Sequence, residues 1–309
     1  MMPAGSGGEQ NLLVILGPTA SGKTRLAVAA ARALGGEIIS ADSRQVFRRM
    51  DIGTGKDLEE YGDVPYHLVD ILDPGDEFSV YEFQQYFAAA FKQVTARGRL
   101  PLLVGGTGLY LDAVLRGYQL PAVPENHDLR RELAGLSLEQ LRQRLLHLLP
   151  AQHNTTDLLQ RERLVRAIEI ALYQSGEKAA AKVEVPVFKP MIFGIKLERE
   201  VVRRRITERL KVRLAGGMIE EVQRLLADGV PIGRLESYGL EYRYISRYVA
   251  GEINRNDMFQ KLNAAIHDFA KKQENWFRKM ERHGLEIIWL DAAADPLDCL
   301  LREWRQRAA

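Results

Sequence analysis

The chain has 309 residues, 46% hydrophobic and 27% charged, which is room for one large or two ordinary globular domains with a sizeable core. No run approaches the roughly 18 uncharged apolar residues that span a bilayer. Met1 to Gln10 carry no basic or apolar signal region and read as a short disordered tail, and the single cysteine, Cys299, forbids an intrachain disulfide or a cysteine-built zinc module. A reducing, cytoplasmic setting follows. The net charge of +2 is uneven: residues 1–110 hold ten Lys and Arg against thirteen Asp and Glu, the remainder 33 against 28. A polyanionic partner is therefore expected on the later segments, although arginine-rich helices are commonly just solvated faces.

In chain order, Asn11–Leu16 is a short apolar run that predicts a buried parallel strand. A Gly-rich turn follows, then an Ala-rich helix over Lys23–Leu34. Glu37–Ser40, Tyr66–Leu72 and Leu102–Val104 read as further strands, with a helix over Val80–Arg97. Strands alternating with helices predict an α/β fold with a parallel sheet. From Asp128 the texture turns helical and rich in Leu and Arg, with breaks near Pro150 and Gly176. Met191–Lys196 returns a strand, long amphipathic stretches cover Glu198–Leu226 and Met258–Arg282, and Glu286–Leu290 is a last strand. The expected organisation is a tail (1–10), the first part of an α/β core (11–123), a mostly helical insertion (124–185), and core completion with basic C-terminal helices (186–309).

Three segments carry chemistry. Gly17-Pro18-Thr19-Ala20-Ser21-Gly22-Lys23-Thr24 fits G-x-x-x-x-G-K-[ST] between a predicted strand and a predicted helix. Its backbone N–H groups and the helix N-terminus suit phosphate oxygens; Lys23 adds a point charge and the Thr24 hydroxyl a Mg²⁺ ligand. A nucleotide is the default occupant, but the pattern accepts any diphosphate. Asp42 follows the second strand, where residues face the ligand crevice of an open sheet. It suits a general base, a carboxylate behind a metal, or a turn aspartate. Leu102 to Tyr110 sets Gly105-Gly106-Thr107 at another strand end, so Thr107 is a candidate for the same crevice.

Together with Asp42-Ser43-Arg44-Gln45, Met50-Asp51-Ile52-Gly53-Thr54-Gly55-Lys56, His67 to Ile71, Arg163 to Glu169 and Ala270 to Arg278, these segments resemble the bacterial tRNA dimethylallyltransferases (tRNA isopentenyltransferases). The resemblance covers most of the chain. It implies transfer of a dimethylallyl group from dimethylallyl diphosphate to N6 of adenosine 37, next to the anticodon, in tRNAs reading codons that begin with U. The Gly17–Thr24 loop would then hold the diphosphate leaving group, with Mg²⁺ as cofactor. By the family pattern Asp42 is the general base and Thr107 lies at the reacting centre. Thr19 and either Arg205 or Arg209 are implied as diphosphate contacts. The implied tRNA contacts are Asp42, Ser43, Arg44, Gln45, Thr107, Arg130, Glu162, Arg163, Arg166, Lys271, Lys272, Gln273, Trp276 and Arg278. For Trp276 and Phe277, ordinary helix packing is the competing account. A monomer with no obligate protein partner is expected.

Three places depart from the family pattern: Ser237 to Arg243, Ile266 to Phe269, and Asp57, where proline is usual. The first two bear on tRNA affinity and are not expected to touch the diphosphate site. The competing functions are a small-molecule kinase with the same loop, an adenylate dimethylallyltransferase, and a catalytically silent RNA-binding relative. The helical insertion and the Lys271–Arg278 stretch favour tRNA over the first two, and intact Lys23, Thr24, Asp42 and Thr107 speak against the third.

Overall fold

A computed structural model describes residues 10–150, 161–175 and 184–308. The expected N-terminal tail, save Gln10, and the break at Gly176 lie outside the described residues. The chain divides into two compact units, one from Met1–Gly117 with Val185–Ala309 and one from Tyr118–Glu184.

The first unit is built on a six-stranded parallel sheet. Its strands are β1 (Leu12–Leu16), β2 (Gly36–Ala41), β3 (Tyr66–His67), β4 (Leu100–Gly105), β5 (Pro190–Lys196) and β6 (Ile287–Asp291), in the order β3-β2-β4-β1-β5-β6. Every residue of β1 is buried, because both faces of the sheet are covered. Leu12, Val14 and Leu16 join Phe83, Phe87, Phe277 and Met280 on one face. Leu13 and Ile15 join Leu26, Ala27, Leu300 and Trp304 on the other. The first face is covered from α2 (Val80–Ala96), α3 (Gly108–Leu115) and α11 (Arg255–Arg282), the second from α1 (Lys23–Leu34) and α12 (Pro296–Ala308). The Ser79–Glu82 capping box sets the start of α2.

The expected strand over Tyr66–Leu72 shortens to two residues. Leu68 and Asp70 have φ of 63° and 55°, and the segment bonds to the 45–46 loop through Asp70 N–H to Gln45 O (3.1 Å) and Ile71 N–H to Val46 O (2.8 Å). The cause is Lys56: its buried ammonium needs acceptors, and it takes Asp70, Asp51 and Phe47 O. The expected stretch over Glu198–Leu226 is two helices, α7 (Arg199–Ala215) and α8 (Met218–Ala227), because Gly217 turns the chain at φ 99°. Between them and α11 lie α9 (Ile232–Ser237) and α10 (Leu240–Val249). These helices enclose a third apolar core with Val46, Phe47 and Met50.

The second unit packs α4 (His127–Ala134), α5 (Leu138–Leu148) and α6 (Arg161–Ser175) around Leu129, Leu133, Leu141, Leu145, Leu164 and Ile168. Among the described residues no helix is long and apolar enough to cross a membrane.

Candidate active site

Three loops leave the carboxyl ends of adjacent strands β2, β4 and β1, the crevice of an open parallel sheet. After β1, Ala20 and Gly22 take φ of 61° and 87°, folding Gly17–Thr24 into a tight loop. No side chain caps α1, so the positive end of that helix stays open to an anion. The Ser21 hydroxyl is buried without a hydrogen-bond partner, an orphan that a ligand atom or water would satisfy. Lys23 is half-buried with Nζ 3.5 Å from Pro18 O. Burial pushes its ammonium down to about 8; Asp42 opposes that shift, and the guanidiniums of Arg209 and Arg213 reinforce it.

The other two loops interlock. Asp42 Oδ1 accepts the Arg44 N–H at 2.9 Å, a local Asx turn, and Asp42 Oδ2 has no hydrogen-bond partner among the described residues. The Ser43 N–H donates to Thr107 Oγ1 at 3.2 Å, and the Thr107 N–H to Ala41 O at 3.3 Å. Thr107 therefore caps nothing in α3 and holds the Asp42 loop against the β4 turn. Arg44 lies over the same crevice; burial pulls its guanidinium below its ordinary value, against the fields of Tyr110, Asp42, Tyr238 and Glu241.

Gln273 was expected at tRNA, and the structure gives it an internal role. It is the one polar member of the buried stripe Met258, Leu262, Ile266, Ala270, Gln273, Phe277 and Met280 on α11. Its Oε1 accepts the Thr19 N–H and its Nε2 donates to Gly106 O, each at 2.8 Å. The side chain thus bridges the β1 loop and the β4 turn. Gln45 is likewise committed, with Nε2 to Gly55 O at 3.1 Å and Oε1 accepting from Ser40 Oγ at 3.4 Å. Trp276 packs against Gly108 and under the Lys279 ammonium, 5.0 Å from the ring centroid, and its buried indole N–H has no hydrogen-bond partner among the described residues. Lys271, Lys272 and Arg278 are exposed on α11.

A cleft beside the loop is lined by Thr19, Ala20, Arg209, Arg213 and Glu241, with Ile206, Leu210, Met218 and Ile266. Of the two arginines expected at a diphosphate, Arg209 lines this cleft. Arg205 is exposed one turn earlier and does not. Arg213 was missed, although i, i+4, i+8 spacing from Arg205 could have raised it. Asp57 Oδ2 accepts from Arg209 Nη2 at 2.5 Å and from Arg213 Nη2 at 3.3 Å. Burial pushes the Glu241 carboxyl up, against the pull of Arg213 and Arg209. Two of the three departures therefore reach this region: Asp57 holds Arg209, and, against expectation, Glu241 lines its cleft. In the third, His267 is half-buried, its Nε2 3.3 Å from Thr207 Oγ1 between α7 and α11.

The Met50–Lys56 segment is scaffolding. Glu221, buried on α8, accepts the N–H groups of Asp51, Ile52 and Gly53 at 2.8–3.0 Å and the Tyr242 hydroxyl at 2.7 Å. Sequence reasoning had no sign of Glu221, which lies about 170 residues from the three backbone N–H groups it holds.

The remaining expected tRNA contacts lie in the second unit. Arg130 meets Glu169 fork to fork at 2.7 and 3.0 Å and Glu125 at 2.7 Å. Arg166 bonds Glu169 at 3.0 Å and Val123 O at 2.7 Å. Both guanidiniums are thus engaged in an internal network, while Glu162 and Arg163 are exposed.

Fold and site together define an α/β protein with its candidate functional side chains at the carboxyl edge of a parallel sheet. The IPP transferase family model matches residues 45–280, and the isopentenyl transferase model residues 10–61. The tRNA dimethylallyltransferase 2 of Syntrophotalea carbinolica is 66% identical over 94% of this chain and 98% of its own length. The tRNA dimethylallyltransferase 1 of Geotalea uraniireducens is 63% identical over 93% and 94%. The crystal structure of a tRNA isopentenylpyrophosphate transferase from Bacillus halodurans superposes with a TM-score of 0.70 at 31% identity, covering 96% of this chain and 95% of that one. A eukaryotic dimethylallyltransferase crystallised while acting on tRNA shares the fold, with a TM-score of 0.72 at 20% identity over 97% of this chain and 76% of that one. The chain belongs to the tRNA dimethylallyltransferase family.

Proposed function

We propose that this enzyme transfers the dimethylallyl group of dimethylallyl diphosphate to N6 of adenosine 37 in tRNAs that read codons beginning with U, acting as a cytoplasmic monomer. The observation that carries the reading is the convergence of the Gly17–Thr24 loop, Asp42 and Thr107 at three adjacent strand ends, with Arg209 lining the cleft beside them.

The adenine amino group is a poor nucleophile because its lone pair is delocalised into the ring. As its nitrogen bonds to the allylic carbon, the C–O bond to the diphosphate breaks and one N–H proton must leave. The unpartnered Oδ2 of Asp42 accepts that proton. The loop N–H groups, Lys23 and Arg209 stabilise the charge developing on the leaving diphosphate. Thr107 keeps its hydroxyl hydrogen for a leaving-group oxygen, since Oγ1 serves as acceptor toward Ser43.

Among the described residues no group of three or more His, Cys, Asp or Glu side chains forms a metal site. Mg²⁺ binds through one or two protein oxygens together with substrate phosphates and water. Thr24 supplies such an oxygen, and the ion when bound would neutralise leaving-group charge. For the base to react it must leave its stack, so the anticodon loop is held open. Lys271, Lys272 and Arg278 offer phosphate contacts, and Ser43 and Arg44 at the crevice and Glu162 and Arg163 on the second unit are further tRNA contacts of this reading.

The test is purified enzyme with labelled dimethylallyl diphosphate and Mg²⁺, offered unmodified tRNA, AMP or ATP. Label in the N6 position of adenosine 37 is expected. Label in AMP would point to an adenylate dimethylallyltransferase, and ATP-dependent phosphorylation to a kinase.

A further inference from the structure

We propose that Arg213 is a second guanidinium of the diphosphate site, and that Asp57 is the positioning residue that aims Arg209 and Arg213 as a pair. The inference rests on the reading that the Gly17–Thr24 loop holds the leaving diphosphate.

Arg209 and Arg213 are one helical turn apart on α7 and line the same cleft as Thr19 and Ala20. Two neighbouring guanidiniums repel, so a fixed anion must hold them together. Asp57 does this sparingly: a single oxygen, Oδ2, accepts one Nη2 from each. Nε and Nη1 of both side chains have no partner among the described residues, so each keeps donors for an incoming oxyanion. A pair built only for stability would close fork to fork, as Arg130 and Glu169 do in the second unit.

Arg213 is also seated by shape. Its Nη2 lies 1.8 Å from where a Cβ of Gly55 would stand, at φ +68°, so the 53–57 turn is moulded around the guanidinium. Its side chain is 14% exposed against 34% for Arg209. The charges suit a polyanion. Lys23, Arg209 and Arg213 face Asp42 and Asp57, while Glu241 is pushed by burial toward its neutral form. A diphosphate, with two adjacent phosphoryl groups, is matched by two adjacent guanidiniums.

The experiment measures pyrophosphate as a competitive inhibitor against dimethylallyl diphosphate, with tRNA saturating. For Arg213→Met the pyrophosphate inhibition constant and the donor KM should both rise about tenfold or more, with the KM for tRNA unchanged. Arg213→Lys, which keeps charge and stem but loses the fork, should fall between, and it supplies the reading should Arg213→Met fail to fold. Asp57→Asn separates two ideas. Removing a carboxylate beside an anion site would by charge alone tighten pyrophosphate, whereas loss of aim weakens it severalfold; weakening is expected. An unaltered constant in both Arg213 variants overturns the role of Arg213, and tighter or unaltered binding in Asp57→Asn overturns that of Asp57. Failure of pyrophosphate to compete in the unsubstituted enzyme would instead sink the diphosphate reading itself.

Discussion

Two clusters of arginine and carboxylate in this chain differ in what they leave unfinished. In the second unit the Glu169 side chain is 1% exposed, and Arg130, Arg166 and the Asn126 N–H occupy both its oxygens. Burial alone would raise that carboxyl; these donors outweigh it and hold it below its ordinary value. At the sheet edge nothing closes so fully. Asp42 uses one oxygen, Asp57 shares one oxygen between two arginines, and the Ser21 hydroxyl is orphaned. A completed network fixes local structure, whereas an incomplete one with spare cationic donors is arranged for something that arrives.

The sharpest way to break this contrast is at Asp42. Asp42→Ala should cut turnover about a hundredfold or more, the range of general-base loss, with tRNA binding retained and unfolding almost unchanged. Near-normal turnover in that variant would remove Asp42 from the reaction. The converse substitution lies in the completed cluster. Glu169→Gln should lower the unfolding free energy by about 1–3 kcal/mol, because buried donors lose a charged acceptor, and leave pyrophosphate inhibition alone. Urea unfolding and inhibition measured on one preparation check both halves; altered inhibition with unaltered stability would make Glu169 a ligand residue instead.

How much of this was legible in the sequence follows from how local each cause is. The β1–loop–α1 segment was readable because its signals are contiguous: an apolar strand, a Gly-rich turn, and a helix closed by Gly35 at φ 65°. The two-residue β3 was not, since the reason lies in the buried ammonium of Lys56, which draws Asp70 away from strand geometry. The break at Gly217 hid because the apolar pattern resumes beyond it, with Met218, Val222 and Leu225 buried as Val202, Ile206 and Leu210 are. Within the site, Asp42 and Thr107 stood out at strand ends. Arg213 did not, because its anchors, Gly55 and Asp57, come more than 150 residues earlier. Gln273 stood out as part of a motif implied to meet tRNA, while its role between the β1 loop and the β4 turn did not show. A lone glutamine in an apolar stripe is better read as a buried cross-link. Long-range polar pairing, unlike periodicity, leaves no mark that a single sequence displays.

The smallest predicted effect concerns Lys23, where the open cluster sets a proton equilibrium. Its ammonium sits at about 8 because burial lowers it and Arg209 and Arg213 add to that, with Asp42 opposing. In the free enzyme the charge is mostly present at pH 7 and mostly gone at pH 9. Pyrophosphate binding needs that charge, so affinity should be flat below pH 7.5 and then fall, by up to about tenfold per pH unit above 8. Pyrophosphate also titrates in this range, and Lys23→Arg separates the two sources. A guanidinium stays charged throughout, so whatever decline persists in that variant belongs to the ligand. Identical slopes in the two enzymes would show that Lys23 keeps its proton across the range. The open cluster would then be screened well enough to behave, for this residue, like the closed one around Glu169.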